Sequence, residues 1–292
     1  MLEEKFTVLH DDNAVFSDKS FEAKDYDGDS FGLVLIAAED KLLVGLEKPF
    51  NAFYVEMKTA NTNAGKFTAK YFDENDLAFK TLTIQDESKM FTRSGFLLWD
   101  KPKSLTDNNL WKATTIDGKK KFWLELTPSV DFSGGTDVQG LNIVLSDDND
   151  LIRERGNIVS QHAVDLGLTS WILKHVSSRE ELLQRLRNSG NRKIKTENID
   201  GEAITEIKDI TVFDLHDFNQ LRQASKLLTL AKIFIQELSD EKDDKFDSIG
   251  KKFQENSDAA FNLFFLSLDF NDDGVEDHEE SLDEQRVELS FT

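Results

Sequence analysis

Cysteine is absent from all 292 residues, which excludes disulfides, thiolate zinc sites and a cysteine nucleophile. Long apolar runs are absent as well. The longest, Phe31–Ala38 (FGLVLIAA), has the length of a strand and falls short of the roughly 18–20 residues that span a bilayer. No membrane partner is therefore expected. The opening residues, MLEEKFTVLHDD, carry acids where a secretory signal carries positive charge, and no apolar region follows. The product is expected to be made and kept in the cytoplasm. Positive charge is scarce, with 35 Lys+Arg against 56 Asp+Glu and a net charge of −21. Such a balance argues against a free-standing nucleic-acid binder, because affinity for phosphate comes mainly from Lys and Arg.

Catalytic signatures are missing too. The five histidines, His10, His162, His175, His216 and His278, form no H-E-x-x-H pattern and no pair at helical spacing, and no serine sits in a G-x-S-x-G elbow. Ser133-Gly134-Gly135-Thr136 lacks the lysine of a phosphate-binding loop and reads as a turn. With 56 acids in the chain, pairs of carboxylates carry almost no information. No catalytic residue is nominated, and the chain is not expected to be an enzyme.

What is present is bulk for a core: 39% hydrophobic residues, with 23 Phe against 3 Tyr and 3 Met. A chain of this length exceeds what one core uses economically, so two domains are expected. Residues 1–150 read as β structure, with candidate strands at Phe31–Ala38, Leu42–Leu46, Ala52–Met57, Lys66–Phe72, Thr81–Ile84, Gly95–Trp99, Lys121–Leu126 and Gly140–Leu145. Asp117-Gly118 marks a tight hairpin ahead of KKKFWLEL. There Phe122, Leu124 and Leu126 alternate with Trp123 and Glu125, as on a half-solvated sheet. An antiparallel, jelly-roll-like β-sandwich is expected.

SDDND at Ser146–Asp150 reads as the boundary loop, and residues 151–268 as an α-helical domain. Ser178-x-x-Glu181 is a capping box that opens a short helix, ELLQRLRN. Residues 191–209 are polar and read as a loop or a flexible hairpin. Asp214 or Asp217 then caps a long helix with Phe218, Leu221, Ala224 or Ser225, Leu228, Ala231, Ile235 and Leu238 at helical spacing. A second helix marked by Phe246, Ile249, Phe253, Ala260 and Phe264 packs back on it. So few helices bury a modest core, so either the β domain or neighbouring copies must cover the remaining apolar stripes, and association of identical copies is the economical expectation.

Charge is unevenly distributed. Residues 179–195 hold Arg179, Arg185, Arg187, Arg192, Lys193 and Lys195 against two acids, either as a DNA or partner contact or as an ordinary solvated face. Residues 236–292 hold 18 acids against 5 bases. Within the acidic tail, 269–292, the spacing D-x-[DN]-x-[DN]-G-x₅-E is met. Asp269, Asn271, Asp273 and Glu280 would supply side-chain oxygens to calcium, Val275 its carbonyl and Asp277 a water-bridged contact, with Gly274 at the sharp turn. Glu276 stands where an apolar residue is usual, and the same segment also reads as an exposed acidic tail. Calcium is the one cofactor the sequence suggests. The ending RVELSFT alternates and could add as a strand to a neighbouring sheet.

Four segments of the β region, NAFYVEMKTANTNAGKFTAKYFD (51–73), FTRSGFLLWDKP (91–102), GKKKFWLEL (118–126) and VQGLNIVLSDDNDL (138–151), resemble a family of tailed-phage virion proteins. LRQASKLLTLAKIFIQELSDEKDDKF (221–246) and SLDFNDDG (267–274) resemble the helical head-to-tail adaptors of the phage neck. The resemblance implies an adaptor-type helical domain and a closed ring of identical copies, commonly twelve. It also implies docking between the portal and the tail or tail-terminator protein, with DNA only in transit through the lumen. The product would then be a structural protein of the virion neck, assembled in the host cytoplasm. A net acidic subunit suits such a conduit. The rival reading is a carbohydrate-binding or tail/baseplate β-sandwich module presenting Tyr54, Trp99, Trp111 and Trp123 to sugars.

Overall fold

The computed structural model describes residues 6–24, 29–102, 110–189, 192–199, 202–215, 217–239, 245–263 and 268. The first compact unit ends at Ile143 and the second begins at Val144.

The first unit contains β1 (Thr7–Asp12), β2 (Val15–Asp18), β3 (Phe31–Gly32), β4 (Lys41–Leu46), β5 (Ala52–Thr59), β6 (Phe67–Phe72), β7 (Phe79–Leu82), β8 (Gln85–Asp86), β9 (Gly95–Leu98), β10 (Thr114–Ile116), β11 (Lys119–Pro128) and β12 (Asp137–Asn142). Two antiparallel sheets result. One has the order β2-β1-β4-β11-β6-β7, with β10 also on β11, and the other has the order β3-β12-β5-β9-β8. The hairpin at Asp117-Gly118 forms, with both residues left-handed (φ 47° and 72°), the geometry that twists two strands together. The apolar run at 31–38 yields only the two-residue β3, while β1, β2 and β8 arise where no strand was expected from the pattern.

Aromatic rings fill the interior of this unit. Phe50 packs edge-on to Trp99 (centroids 5.2 Å apart) and tilted on Trp111 (5.1 Å). Trp111 also meets Tyr71 of β6 and Phe122 of β11. The Trp99 Nε1–H donates to the Phe50 carbonyl at 2.9 Å, so the ring is buried with its polar atom satisfied. The half-solvated reading of β11 is corrected here, because Trp123, Leu124, Glu125 and Leu126 are all buried. Trp123 lies across Gly45, its register partner on β4, and Leu9, Leu43, Phe79 and Ile116 close around it as a second small core. Glu125 is covered by Lys41 (3.2 Å) and Lys70 (3.1 Å), whose stems shield it while their ammonium groups balance its charge.

One loop of this unit runs against backbone chirality. Lys89, Met90 and Phe91 are consecutive left-handed residues (φ 54°, 58° and 59°), a conformation that costs roughly 1–2 kcal/mol per L-residue. Met90 and Phe91 are buried, and the Phe91 ring meets Phe67 and Phe132. Asp86 accepts from the Met90 N–H (2.7 Å), and the Asn61 side-chain amide donates to the Met90 carbonyl (3.1 Å).

The second unit contains α1 (Asp148–Asp165), α2 (Ile172–Asn188), the antiparallel strands β13 (Arg192–Ile199) and β14 (Glu202–Asp209), α3 (Arg222–Ile233) and α4 (Lys245–Leu263). A π turn, Phe234–Leu238, extends α3. Several expectations change. The acids of SDDND open α1 rather than forming a loop: Asp147 is the N-cap, and its carboxylate accepts from the Asp150 N–H, where the helix presents unpaired donors and positive potential. The pair Ser178/Glu181 lies within α2, which starts at Ile172. The Ser178 hydroxyl accepts from Thr229 (2.9 Å) instead of capping anything. Asp217 caps a 3₁₀ turn, Phe218–Leu221, that leads into α3. The loop-or-hairpin alternative at 191–209 resolves as the hairpin β13–β14.

The apolar stripes of α3 and α4 are enclosed by their own unit. Phe218, Leu221, Ala224, Leu228, Ala231 and Phe253 are buried, and Phe246, Ile249 and Ala260 pack partly buried on the same core as Leu151, Val159 and Trp171. The sequence expectation that neighbouring copies cover these stripes is corrected: α1, unmarked by any strong stripe, and α2 supply the cover. Phe264 lies outside the described residues. At Gly250 the helices approach so closely that a Cβ would stand 2.4 Å from Ile235 Cγ1.

Candidate functional site

Three places in the molecule carry chemistry or open surface. The first is a buried polar chain between helices. Ser146 Oγ lies 3.0 Å from His175 Nδ1 and 2.9 Å from Ser225 Oγ, and His175 Nε2 lies 3.1 Å from Asp148 Oδ1. The connectivity is serine–histidine–carboxylate. However, Ser146 is 0% and His175 1% exposed, so the hydroxyl faces packed protein rather than a substrate. Its evident work is to tie the start of α1 to α2 and α3, with every member satisfied, as a buried polar group requires. Thr229–Ser178 and Ser257 donating to the Ala224 carbonyl (2.8 Å) continue the same hydroxyl ladder into α4. Sequence patterning missed this group because its members are 79 positions apart at the extremes, with no local spacing to betray them.

Beside it, Arg222 Nε donates to Asp150 Oδ2 at 2.8 Å. Burial and the neighbouring Asp150 charge push the Asp147 carboxyl above its usual range, despite hydrogen bonds from Asn149 and Asp150. The first unit shows the opposite balance at Asp73. Burial pushes that carboxyl up, but backbone N–H groups of Asp76 and Asn75, the Tyr71 hydroxyl and Lys80 outweigh it and hold it low. Tyr71, buried and beside that carboxylate, is raised to about 12.

The second place is the basic segment, which the fold divides between two elements. Arg179, Arg185 and Arg187 lie on α2, and Arg192, Lys193 and Lys195 on β13. Arg179 pairs with Glu180. Arg185 bonds Glu181 (2.7 Å) and Asp258 (2.5 Å), and those two acids raise its already high pKa against the pull of burial. Arg187 donates to the Ile210 carbonyl at 2.9 Å. These three guanidinium groups are thus engaged inside their own unit, the arrangement expected of a paired face.

The third is an apolar corner. The α1 helix ends in a Schellman turn: left-handed Gly167 (φ 71°) lets the Leu168 N–H reach the Ala163 carbonyl (2.8 Å) and its own N–H reach that of Val164 (2.9 Å). Around this fixed turn Val164 (68% exposed), Leu166, Leu168 and Leu173 (52% exposed) all face outward. Below them Trp171 is buried, donating to the Val159 carbonyl and stacked on His162. Val164, Leu166 and Leu168 at the end of α1 and Leu173 at the start of α2 thus leave four large apolar side chains exposed within ten residues of chain.

The calcium ligands suggested by sequence, Asp269, Asn271, Asp273, Val275, Asp277 and Glu280, lie outside the described residues, as does RVELSFT. Among the described residues no group of three or more His, Asp or Glu side chains is arranged to hold a metal ion. The aromatics named for sugar contact, Tyr54, Trp99, Trp111 and Trp123, are all buried, so none offers a flat ring face to a carbohydrate. No described helix is long and apolar enough to cross a membrane. Compared with protein-family models and with curated proteins, the chain gives no match.

Proposed function

We propose that this chain is a self-assembling structural protein of a tailed-phage particle, a head-to-tail adaptor. In this reading its copies close a ring between portal and tail, and DNA only passes through. The carrying observation is the set of exposed apolar residues Val164, Leu166 and Leu168 at the hydrogen-bonded turn that ends α1 and Leu173 at the start of α2. A surface of that kind lowers its free energy by burial against another protein, at roughly 25 cal/mol per Å² of apolar area. Identical copies supply the partner without a second gene product. The charge of −21 supports the conduit role, since an acidic lining repels DNA rather than retaining it. The jelly-roll-like sandwich and the adaptor-type helical domain belong to the same proposal.

Native mass spectrometry of the purified chain, alone and with portal protein, tests it. A single closed multiple of the 33.3 kDa chain is expected. The double variant Val164→Asp/Leu173→Asp should leave stability within about 0.5 kcal/mol, as exposed substitutions do, while weakening association at least tenfold. A strict monomer in both mixtures, or absence of the polypeptide from purified particles, would sink the reading.

A further inference from the structure

We infer that the β13–β14 hairpin is the element that joins the copies, the β14 edge of one chain pairing with the β13 edge of the next. The inference rests on the self-assembly reading above and names the contact that holds it. Among the described residues β13 and β14 pair with each other and with no other strand. Each is eight residues long, which gives a ribbon of about 26 Å. Neither outer edge is paired with another described strand, the backbone N–H and C=O groups of such an edge are those a further chain can pair, and a lone two-stranded ribbon is at best marginally stable in water.

The register identifies the occupant. Arg192 stands opposite Asp209, Lys195 opposite Glu206, Ile194 opposite Ile207 and Thr196 opposite Thr205, with Lys193 opposite Lys208 the one like-charged row. Identical hairpins set side by side in the same sense bring β14 of one against β13 of the next in antiparallel orientation. In the unshifted register this new ladder repeats every row of the old one. Arg192 and Lys195 then take register positions opposite Asp209 and Glu206 of the neighbour, Ile194 opposite Ile207 and Thr196 opposite Thr205, residue combinations that favour pairing at facing positions. A second copy has this match by identity, whereas an unrelated strand would need it by coincidence. A slip of one residue in either direction breaks the isoleucine and threonine rows, so the register is specified. Because each copy gives one edge and receives on the other, the contact is heterologous, and no open edge remains once the series closes on itself.

The absence of cysteine makes the test direct. Thr196→Cys and Thr205→Cys are placed in separate chains, mixed and mildly oxidised. Lys195→Cys and Glu206→Cys form a second pair, since adjacent rows alternate between hydrogen-bonded and non-hydrogen-bonded geometry. The expected result, in at least one pair, is disulfide-linked heterodimer at ten times or more the dimer given by either variant alone. Copies that associate by native mass yet give no excess heterodimer in either pair overturn the inference and leave the self-assembly reading standing. Monomers at every concentration overturn both. A variant with residues 192–209 replaced by a short Gly/Ser linker, its helical circular dichroism retained, should associate at least tenfold more weakly. Undiminished association would overturn the inference as well.

Discussion

The two units solve the problem of an interior in different ways. The β unit is filled by rings, Phe50, Phe53, Trp99, Trp111 and Trp123, whose polar atoms need few partners. The helical unit places Ser146, Ser178, Ser225, Thr229, Ser257 and His175 among its aliphatic residues and satisfies them helix to helix. Aromatic packing rewards volume and tolerates small shifts, whereas a hydroxyl ladder is satisfied at one helix register and penalised at others. The first kind of core supplies bulk stability, and the second fixes how helices align.

The comparison breaks or sharpens under substitution. The largest effect is expected at Trp123→Ala, which removes a fully buried ring from the β unit and should cost about 3–5 kcal/mol. Calorimetry should show the β transition falling while the helical one stays. Joint collapse of both would mean that the units do not unfold separately. Next, Gly250→Ala drives a Cβ into Ile235 and should cost the helical unit about 1–3 kcal/mol, read as a drop in the helical transition alone.

Acid should act on individual carboxylates with opposite signs. Asp73 is held below its ordinary value, and Asp18, beside Lys119 and Ser20, is lowered to about 2 against the pull of burial. Their stabilising contribution is complete above the unfolded carboxylate value near 4 and is lost as pH falls through their lower folded values. Asp147 is raised, so its favourable contribution is complete below about pH 4 and is lost as pH climbs through its folded value. Thermal scans from pH 6 to pH 3 should therefore weaken the β transition at the acid end, whereas in the helical unit the relief at Asp147 opposes a loss at Glu181, which burial raises but Lys232 and Arg185 hold low. Asp147→Asn, which keeps an N-cap acceptor without the charge, should raise the helical transition at neutral pH and abolish that relief on acidification. An unchanged profile would remove Asp147 as the cause.

The smallest effect is expected at the β1–β2 turn, where Asn13 and Ala14 are both left-handed (φ 48° and 72°). Ala14→Gly should raise the β transition by about 1 kcal/mol or less, because glycine accepts that conformation without a Cβ penalty. A loss of stability would show that the Ala14 methyl is held by contacts stronger than its strain.

How much of this was legible followed from how local each signal is. Strands β4, β5, β6, β9 and β11 were visible as short apolar or alternating runs, and Asp117-Gly118 as a turn, because those signals need only neighbours. The helix α1 was not, because its acidic opening reads as loop and its buried positions, Leu151, Val159 and Ala163, are few and widely spaced. Missing that helix led to the inference that α3 and α4 would lack cover. Burial of Trp123 depended on Gly45 across the register, and the Ser146–His175–Asp148 chain on the start of α1 meeting α2, neither of which any window of sequence contains. The exposed residues Val164, Leu166, Leu168 and Leu173 carried no signal of their own, because no window of sequence shows which way the chain turns at Gly167.

The left-handed turn at Lys89–Phe91 constrains the order of events during folding. Its local preference opposes the native hand, so it is populated only after the carboxylate of Asp86 and the amide of Asn61 are in place to hold it. Phe91 thus seats late, onto sheets already formed. In time-resolved hydrogen exchange, the amides of Met90 and Phe91 should gain protection after those of β5 and β9, and a glycine or a D-amino acid at position 90 would shorten that last interval.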